Sequence, residues 1–254
     1  MKPHYTLHGV AIAATALSLF FASNSRAELV DGLVNYWDFD NNLVDKAATT
    51  GGSASSVADD GVFAGANGVA GISFGTGRFG ATGINLNGAA GANENDGFVQ
   101  IAASADTHFG ANATNPAEPN TMTISIWVQA AAFDTGWQAV IAHGEGAQYR
   151  IARRGDTDRL GYAGGSGEGP DGTISVATGW HHVVAISDGV NANTRLYVDN
   201  VLESTGPGPV IDDAKGGGTL PLTIGANPDT GAQNREWFGD LDDAAQWNRA
   251  LSDA

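Results

Sequence analysis

The chain has 254 residues, with 12 basic against 28 acidic side chains and a formal net charge of −16. So acidic a protein repels nucleic acid and anionic membranes, both of which are held through Lys and Arg. It contains no cysteine, which excludes a disulfide scaffold, thiol catalysis and cysteine-ligated zinc.

The N-terminus carries a positive Lys2, an apolar run from Val10 to Ala22 broken by Thr15 and Ser18, and then Ser25-Arg26-Ala27. This order predicts a secretory signal peptide over residues 1–27, cleaved before Glu28. An uncleaved anchor is the alternative, but the apolar run is shorter than the roughly 20 residues of a membrane span. Lys2 and Arg26 leave with the signal, so the mature chain is more acidic still. It is expected to be secreted or displayed at the cell surface, with no stable membrane insertion.

Residues 28–254 fit one all-β sandwich, for which roughly 200–250 residues is ordinary. Past the signal no window holds a helical apolar period over three turns. Short alternating runs separated by Gly, Asn and Asp predict strands instead. Val34 to Phe39 forms the first. Lys46 to Gly71 reads as a long surface loop. Ile84 to Gly88 and Phe98 to Ile101 read as a strand pair.

Met122 to Gln129 alternates cleanly, with Met122, Ile124, Ile126 and Val128 on a core face and Trp127 opposite. Shorter strands are expected at Val140–Ala142, Tyr149–Ala152, Leu160–Tyr162 and Thr173–Val176. His181 to Ser187 and Thr194 to Val198 follow, then a two-residue hairpin turn at Asp199-Asn200. Leu222 to Gly225 and Trp237 to Trp247 complete two packed antiparallel sheets. In the His181 strand, Trp180, His182, Val184 and Ile186 are expected to face inward, with His182 a hydrogen-bonded core residue.

Four segments occur in order: Tyr36-Trp37-Asp38-Phe39-Asp40, Thr123-Ile124-Ser125-Ile126-Trp127-Val128, Trp180-His181-His182-Val183 with Leu196-Tyr197-Val198-Asp199-Asn200, and Phe238-Gly239-Asp240-Leu241-Asp242-Asp243 leading to Asn248-Arg249-Ala250-Leu251-Ser252. Together they resemble the LamG-like jelly-roll domains of the concanavalin A-like lectin/glucanase superfamily. The resemblance implies an antiparallel two-sheet jelly roll and, by analogy of fold, a carbohydrate ligand. Related domains continue a little further, so the native chain is expected to extend past Ala254. Asn87 stands where relatives often carry Asp, which removes a carboxylate from a family-type ion site.

Sugar-binding faces stack Trp or Tyr on the apolar body of a pyranose. Trp137, Tyr149, Tyr162 and Trp237 stand beside loops and are the candidate ligand-binding residues. Asp40 and Asp242, on terminal strands that lie close in this fold, are the candidate ligands of a calcium ion. The alternative is that Asp242 and Asp243 cap turns or accept backbone amides. Asp156, Asp158 and Glu168 are weaker calcium candidates.

Retaining glycoside hydrolysis needs two carboxyls about 5–5.5 Å apart. Asp240 and Asp242 share a strand face, but no Glu follows at the family's step. The sequence therefore points to a non-catalytic binding or adhesion module, with an extracellular glycan or cell-surface polymer as partner. A matrix, surface-layer or filament subunit and a glycoside hydrolase are the alternatives.

Overall fold

The computed structural model describes residues 29–50, 52, 59–65, 69, 71–80, 82–86, 97–110, 115–145, 147–165, 167, 169–229 and 235–252. The expected signal peptide, Asn87 and Glu168 lie outside them.

In chain order come β1 (Leu33–Trp37), a short helix α1 (Ala47–Thr50), β2 (Gly61–Ala64), β3 (Ser73–Thr76), β4 (Thr82–Asn85), β5 (Phe98–Ile101) and β6 (Met122–Ala130). There follow β7 (Ala139–Ala142), β8 (Tyr149–Arg153), β9 (Leu160–Gly164), β10 (His181–Asp188), β11 (Asn193–Val198), β12 (Val201–Pro207), β13 (Leu222–Ile224) and β14 (Gly239–Trp247). The larger sheet has the order β12-β11-β10-β6-β14-β4-β3, and β1 also pairs with β14. The smaller has the order β2-β5-β13-β7-β8-β9. All these ladders are antiparallel. This is the expected two-sheet jelly roll.

The inward faces of the two sheets form one apolar core. Ile124, Ile126 and Val128 of β6 join Val183 and Ala185 of β10, with Val99, Ile141, Ile151 and Ile224 from the smaller sheet. A polar chain crosses this apolar interior. Asn35 Nδ2 donates to Gln246 Oε1 at 2.9 Å and to the Asp106 carbonyl at 3.0 Å. Gln246 Nε2 donates to the Tyr149 hydroxyl at 3.3 Å, which donates in turn to the Thr107 carbonyl at 2.9 Å. Buried polar groups persist when they are paired in this way.

Four sequence expectations are corrected. The span 46–71 is not bare loop, since it holds α1 and β2. The strands at Ile84 and Phe98 do not pair: β4 joins β3 and β14, while β5 joins β2 and β13 in the other sheet. Residues 173–176 form no strand. The Glu203 carboxylate of β12 takes the Thr173 and Ile174 amides that a ladder would use.

The fourth correction concerns β10, whose inward residues are Val183 and Ala185, so His182 faces outward. Val183 to Ile186 are four consecutive apolar residues, and alternation could not choose the face of that run. The Asp199-Asn200 turn is as expected, with φ of 50° and 64° matching a tight hairpin.

Asp59 is nearly buried, and its Oδ2 accepts from Ser104 Oγ at 2.7 Å. Burial pushes its carboxyl up to about 6 against that hydrogen bond, with Asp106 and Asp45 adding negative charge. The folded state therefore holds a proton that the unfolded chain, near about 4, releases. Stability from this group is absent above pH of about 6 and grows as pH falls toward about 4. Urea titrations should show a smaller acid-side gain in Asp59→Asn than in wild type, since Asn still accepts from Ser104 but takes up no proton. Tyr149→Phe should lose about 1–3 kcal/mol in the same assay, because the Thr107 carbonyl and the Gln246 amide lose their partner.

A candidate ligand-binding trough on the outer face of the larger sheet

Alternation sends Ser125 and Trp127 of β6 to the outer face of the larger sheet, away from the core set Ile124, Ile126 and Val128. Register then places His182 of β10 on one side of Trp127 and Asp242 of β14 on the other. The His182 ring stacks on the indole with centroids 4.9 Å apart. The Arg78 guanidinium, from the turn between β3 and β4, lies 4.7 Å from the indole centre and 5.1 Å from the Phe79 ring. Phe79, 65% exposed, meets Trp127 edge-on at 5.3 Å. The indole is thus a fixed wall standing on the sheet. His182 Nε2 sits 2.8 Å from Ser125 Oγ, and burial pushes its imidazole down despite the pull of Asp199.

A bulge in β14 does the rest. Its register against β6 shifts between Asp242 and Ala245, with Asp243 at φ 46°. Bulges bend a strand and re-aim its side chains. Here the extra residue brings Asp243 to Tyr36 of β1, whose hydroxyl donates to Asp243 Oδ1 at 2.8 Å. The second carboxylate oxygen has no hydrogen-bond partner among the described residues. Burial pushes the Asp243 carboxyl above its ordinary value, opposed by the Tyr36 bond and reinforced by Asp38 and Asp40. A trough of about 380 Å³ runs past these groups, from Trp127 over Ser125 and Asp243 to Tyr36, Leu33 and Trp247. It combines aromatic walls, an open carboxylate oxygen and a hydroxyl, the composition that holds a molecule with an apolar body and many hydroxyl groups.

The residues expected from sequence fall elsewhere. Tyr149 and Tyr162 are 0% exposed and Trp237 1%. Rings sealed in the core offer no face to a sugar, so these three are structural. Tyr149 and Tyr162 share the inward side of their strands with Ile151 and Leu160, a signal that outweighs closeness to a loop. Trp137 is half-buried at φ 66°, its ring 4.9 Å from the Arg154 guanidinium and 5.4 Å from that of Arg150. It lies outside the trough.

Asp40 and Asp242 both bond to the segment 78–82, and burial raises the Asp242 carboxyl to about 6, with the charges of Asp243 and Asp40 adding to it. Both are engaged by backbone amides: Thr82 N donates to Asp40 at 3.1 Å and Arg78 N to Asp242 at 2.7 Å. Among the described residues no group of three His, Asp or Glu side chains is arranged to hold a metal ion. Asp240, the other carboxylate weighed for hydrolysis, accepts from Asn85 Nδ2 at 2.6 Å. Sequence reasoning missed Tyr36, Ser125, Asp243 and Trp247 as a set. The outward position of Trp127 and the Asp242-Asp243 pair were visible, but the bulge that joins them was not.

Fold and trough together define a two-sheet sandwich with a ligand-sized recess on one face. Residues 93–254 match the family described as the concanavalin A-like lectin/glucanases superfamily, and the chain belongs to it. No curated protein matches it. Among solved structures, domain 4 of AbnA, a GH43 extracellular arabinanase from Geobacillus stearothermophilus in complex with arabinotriose, is 17% identical with a TM-score of 0.55, covering 87% of this chain and 94% of that one. The binding domain of botulinum neurotoxin serotype D/C is 13% identical with a TM-score of 0.53, over 87% of this chain and 50% of that one. At such identities the likeness is one of fold.

Proposed function

We propose that the chain is an exported, non-catalytic carbohydrate-binding module whose trough on the larger sheet holds a sugar. The observation that carries the reading is the meeting of Trp127, Ser125, Tyr36 and Asp243 around one recess. The aromatic walls suit the apolar edge of a pyranose, and the open Asp243 oxygen suits its hydroxyl hydrogens. A fold shared with a domain crystallised with arabinotriose supports the ligand class. Hydrolysis is disfavoured because Asp240 and Asp242 are engaged by Asn85 and by the Arg78 amide rather than poised as an acid and a nucleophile.

A glycan array, run with and without EDTA, tests the reading. Wild type should bind at least one neutral polysaccharide or oligosaccharide, and Trp127→Ala and Asp243→Asn should each weaken that binding by about tenfold. Binding untouched by either change would move the site elsewhere, and a blank array would overturn the function. Loss of binding in EDTA with recovery in calcium would bring Asp40 and Asp242 back as ion ligands. The exported protein should begin at Glu28 on N-terminal sequencing.

A further inference from the structure

Beside the trough stands a side chain that holds two of its lining residues. His182 of β10 lies directly opposite Trp127 of β6 and diagonally from Ser125, and diagonal neighbours on one sheet face are within reach of long side chains. Its ring stacks on the Trp127 indole, and its Nε2 sits 2.8 Å from Ser125 Oγ. Trp127 and Ser125 both line the trough. One imidazole therefore braces an aromatic wall and a hydrogen-bonding group at once. Asp199, in the turn after β11, fixes the strand at this point. Its Oδ1 accepts from His182 N at 2.9 Å, and its Oδ2 lies 2.7 Å from His181 Nδ1.

The bond between His182 and Ser125 can run in either direction. A neutral imidazole has one N–H and one bare nitrogen, and a hydroxyl donates once and accepts twice. With Nε2 bare, Ser125 donates to it and keeps its lone pairs for the trough. With Nε2 protonated, the ring donates to Ser125 Oγ and the hydroxyl hydrogen turns away from the ring. The neutral ring reaches both arrangements by exchanging tautomers, whereas the charged ring permits only the second. The charges around it are few. Asp199 draws the ring toward its charged form and is shared with His181, while the indole beside it carries Arg78 and faces Asp242 of β14. Tyr197 of β11 stands opposite Val184, two residues along β10. Burial outweighs Asp199 and keeps the imidazole neutral to lower pH than usual.

We infer that His182 is a positioning residue whose protonation sets the hydrogen-bonding polarity of the trough, letting Ser125 accept from sugar hydroxyls in the neutral form and making it an obligatory donor in the charged one. The inference rests on the carbohydrate reading for its ligand, and on the stack and bond of His182 for the coupling. Asp243 is an acceptor in the same recess. A sugar seated at neutral pH with hydroxyls donating to both Asp243 and Ser125 meets a hydrogen where it met a lone pair once His182 is charged. Its affinity therefore falls as pH drops through the His182 titration. By linkage, the bound sugar holds the imidazole neutral and lowers its midpoint further.

The test is calorimetric titration with arabinotriose, xylotriose, cellotriose and mannotriose at about pH 7.5 and about pH 5, on either side of the ordinary imidazole value. At least one trisaccharide should bind, and bind about tenfold more weakly at the lower pH. His182→Gln still bonds Ser125 from either end of its amide but takes up no proton, and should shrink that drop to about threefold. Ser125→Ala should shrink it equally, and the Trp127 indole NMR signal reports on the fold of each variant. Nitrogen NMR of the His182 ring should show its midpoint moved by Ser125→Ala and lowered by saturating sugar. A full acid drop in both variants, or wild-type affinity equal at the two pH values, would overturn the inference and leave the trough a sugar site. Absence of binding by all four sugars would remove the carbohydrate reading. In that case a His182 midpoint unmoved by Ser125→Ala would overturn the inference too, and a moved one would support the coupling for a ligand of another class.

Discussion

The buried relay from Asn35 through Gln246 and Tyr149 to the Thr107 carbonyl is the constraint on which both faces of the molecule depend. In a strand, a slip of one residue exchanges the two faces. Gln246 can meet Asn35 and Tyr149 only from inside, so Ala245 and Trp247 must point out, and Trp247 then lines the trough. On β1 the bond from Asn35 to Gln246 fixes a register in which Tyr36 lies opposite Ala245, within reach of Asp243. An apolar core alone would tolerate other registers. A relay with a partner for each amide and hydroxyl hydrogen it commits discriminates among them.

Glycine makes the other half of the arrangement possible. Gly77 lies so close to Asp242 that a Cβ there would sit 2.5 Å from its Oδ2 and 2.8 Å from the Thr82 backbone carbonyl carbon. The missing side chain lets the β3–β4 turn bond Asp242 through Arg78 N and lay the guanidinium on Trp127. At the start of β14, Gly239 has φ 155° and leaves no room for a Cβ, which would meet the Gln129 carbonyl oxygen at 2.0 Å. Close approach of β14 to β6 there is what places Asp242 opposite Trp127. Both glycines serve the same wall of the trough, one from the β3–β4 turn and one from β14.

The architecture was legible in the sequence because β6, one of its two longest strands, alternates without fault. Met122 to Val128 identifies a core face by period alone, and the Asp199-Asn200 turn identifies a hairpin by its tolerance of positive φ. The site was legible only in pieces. Trp127 could be seen to oppose the core, yet nothing local said which residues of β1 and β14 would lie beside it. Those neighbours are more than 80 residues distant in sequence, and a bulge that no periodicity reveals sets their register. The tyrosines and Trp237 misled for a related reason. An aromatic next to a loop reads as accessible until the partner sheet is in place to cover it.

Electrostatics bear on the trough as well. Basic side chains are scarce, and most are taken up inside the protein's own structure. Arg150 and Arg235 share Glu145, Lys215 holds Asp229, Lys46 holds Asp38 and Arg154 holds Asp171. Arg153 gives its donors to the Thr135, Asp156 and Thr157 carbonyls. Arg78 lies across two aromatic rings. The surface left over is acidic, and apart from Arg78 on the Trp127 wall no Lys or Arg lines the trough among the described residues. A carboxylated or sulfated glycan approaching the trough meets the repulsion of Asp243 and of the acidic surface around it. A neutral sugar meets none, and Asp243 and Ser125 offer the hydrogen-bonding groups that its hydroxyls need. The same allocation of charge that ties the loops to the sandwich therefore bears on the class of ligand that the trough can accept.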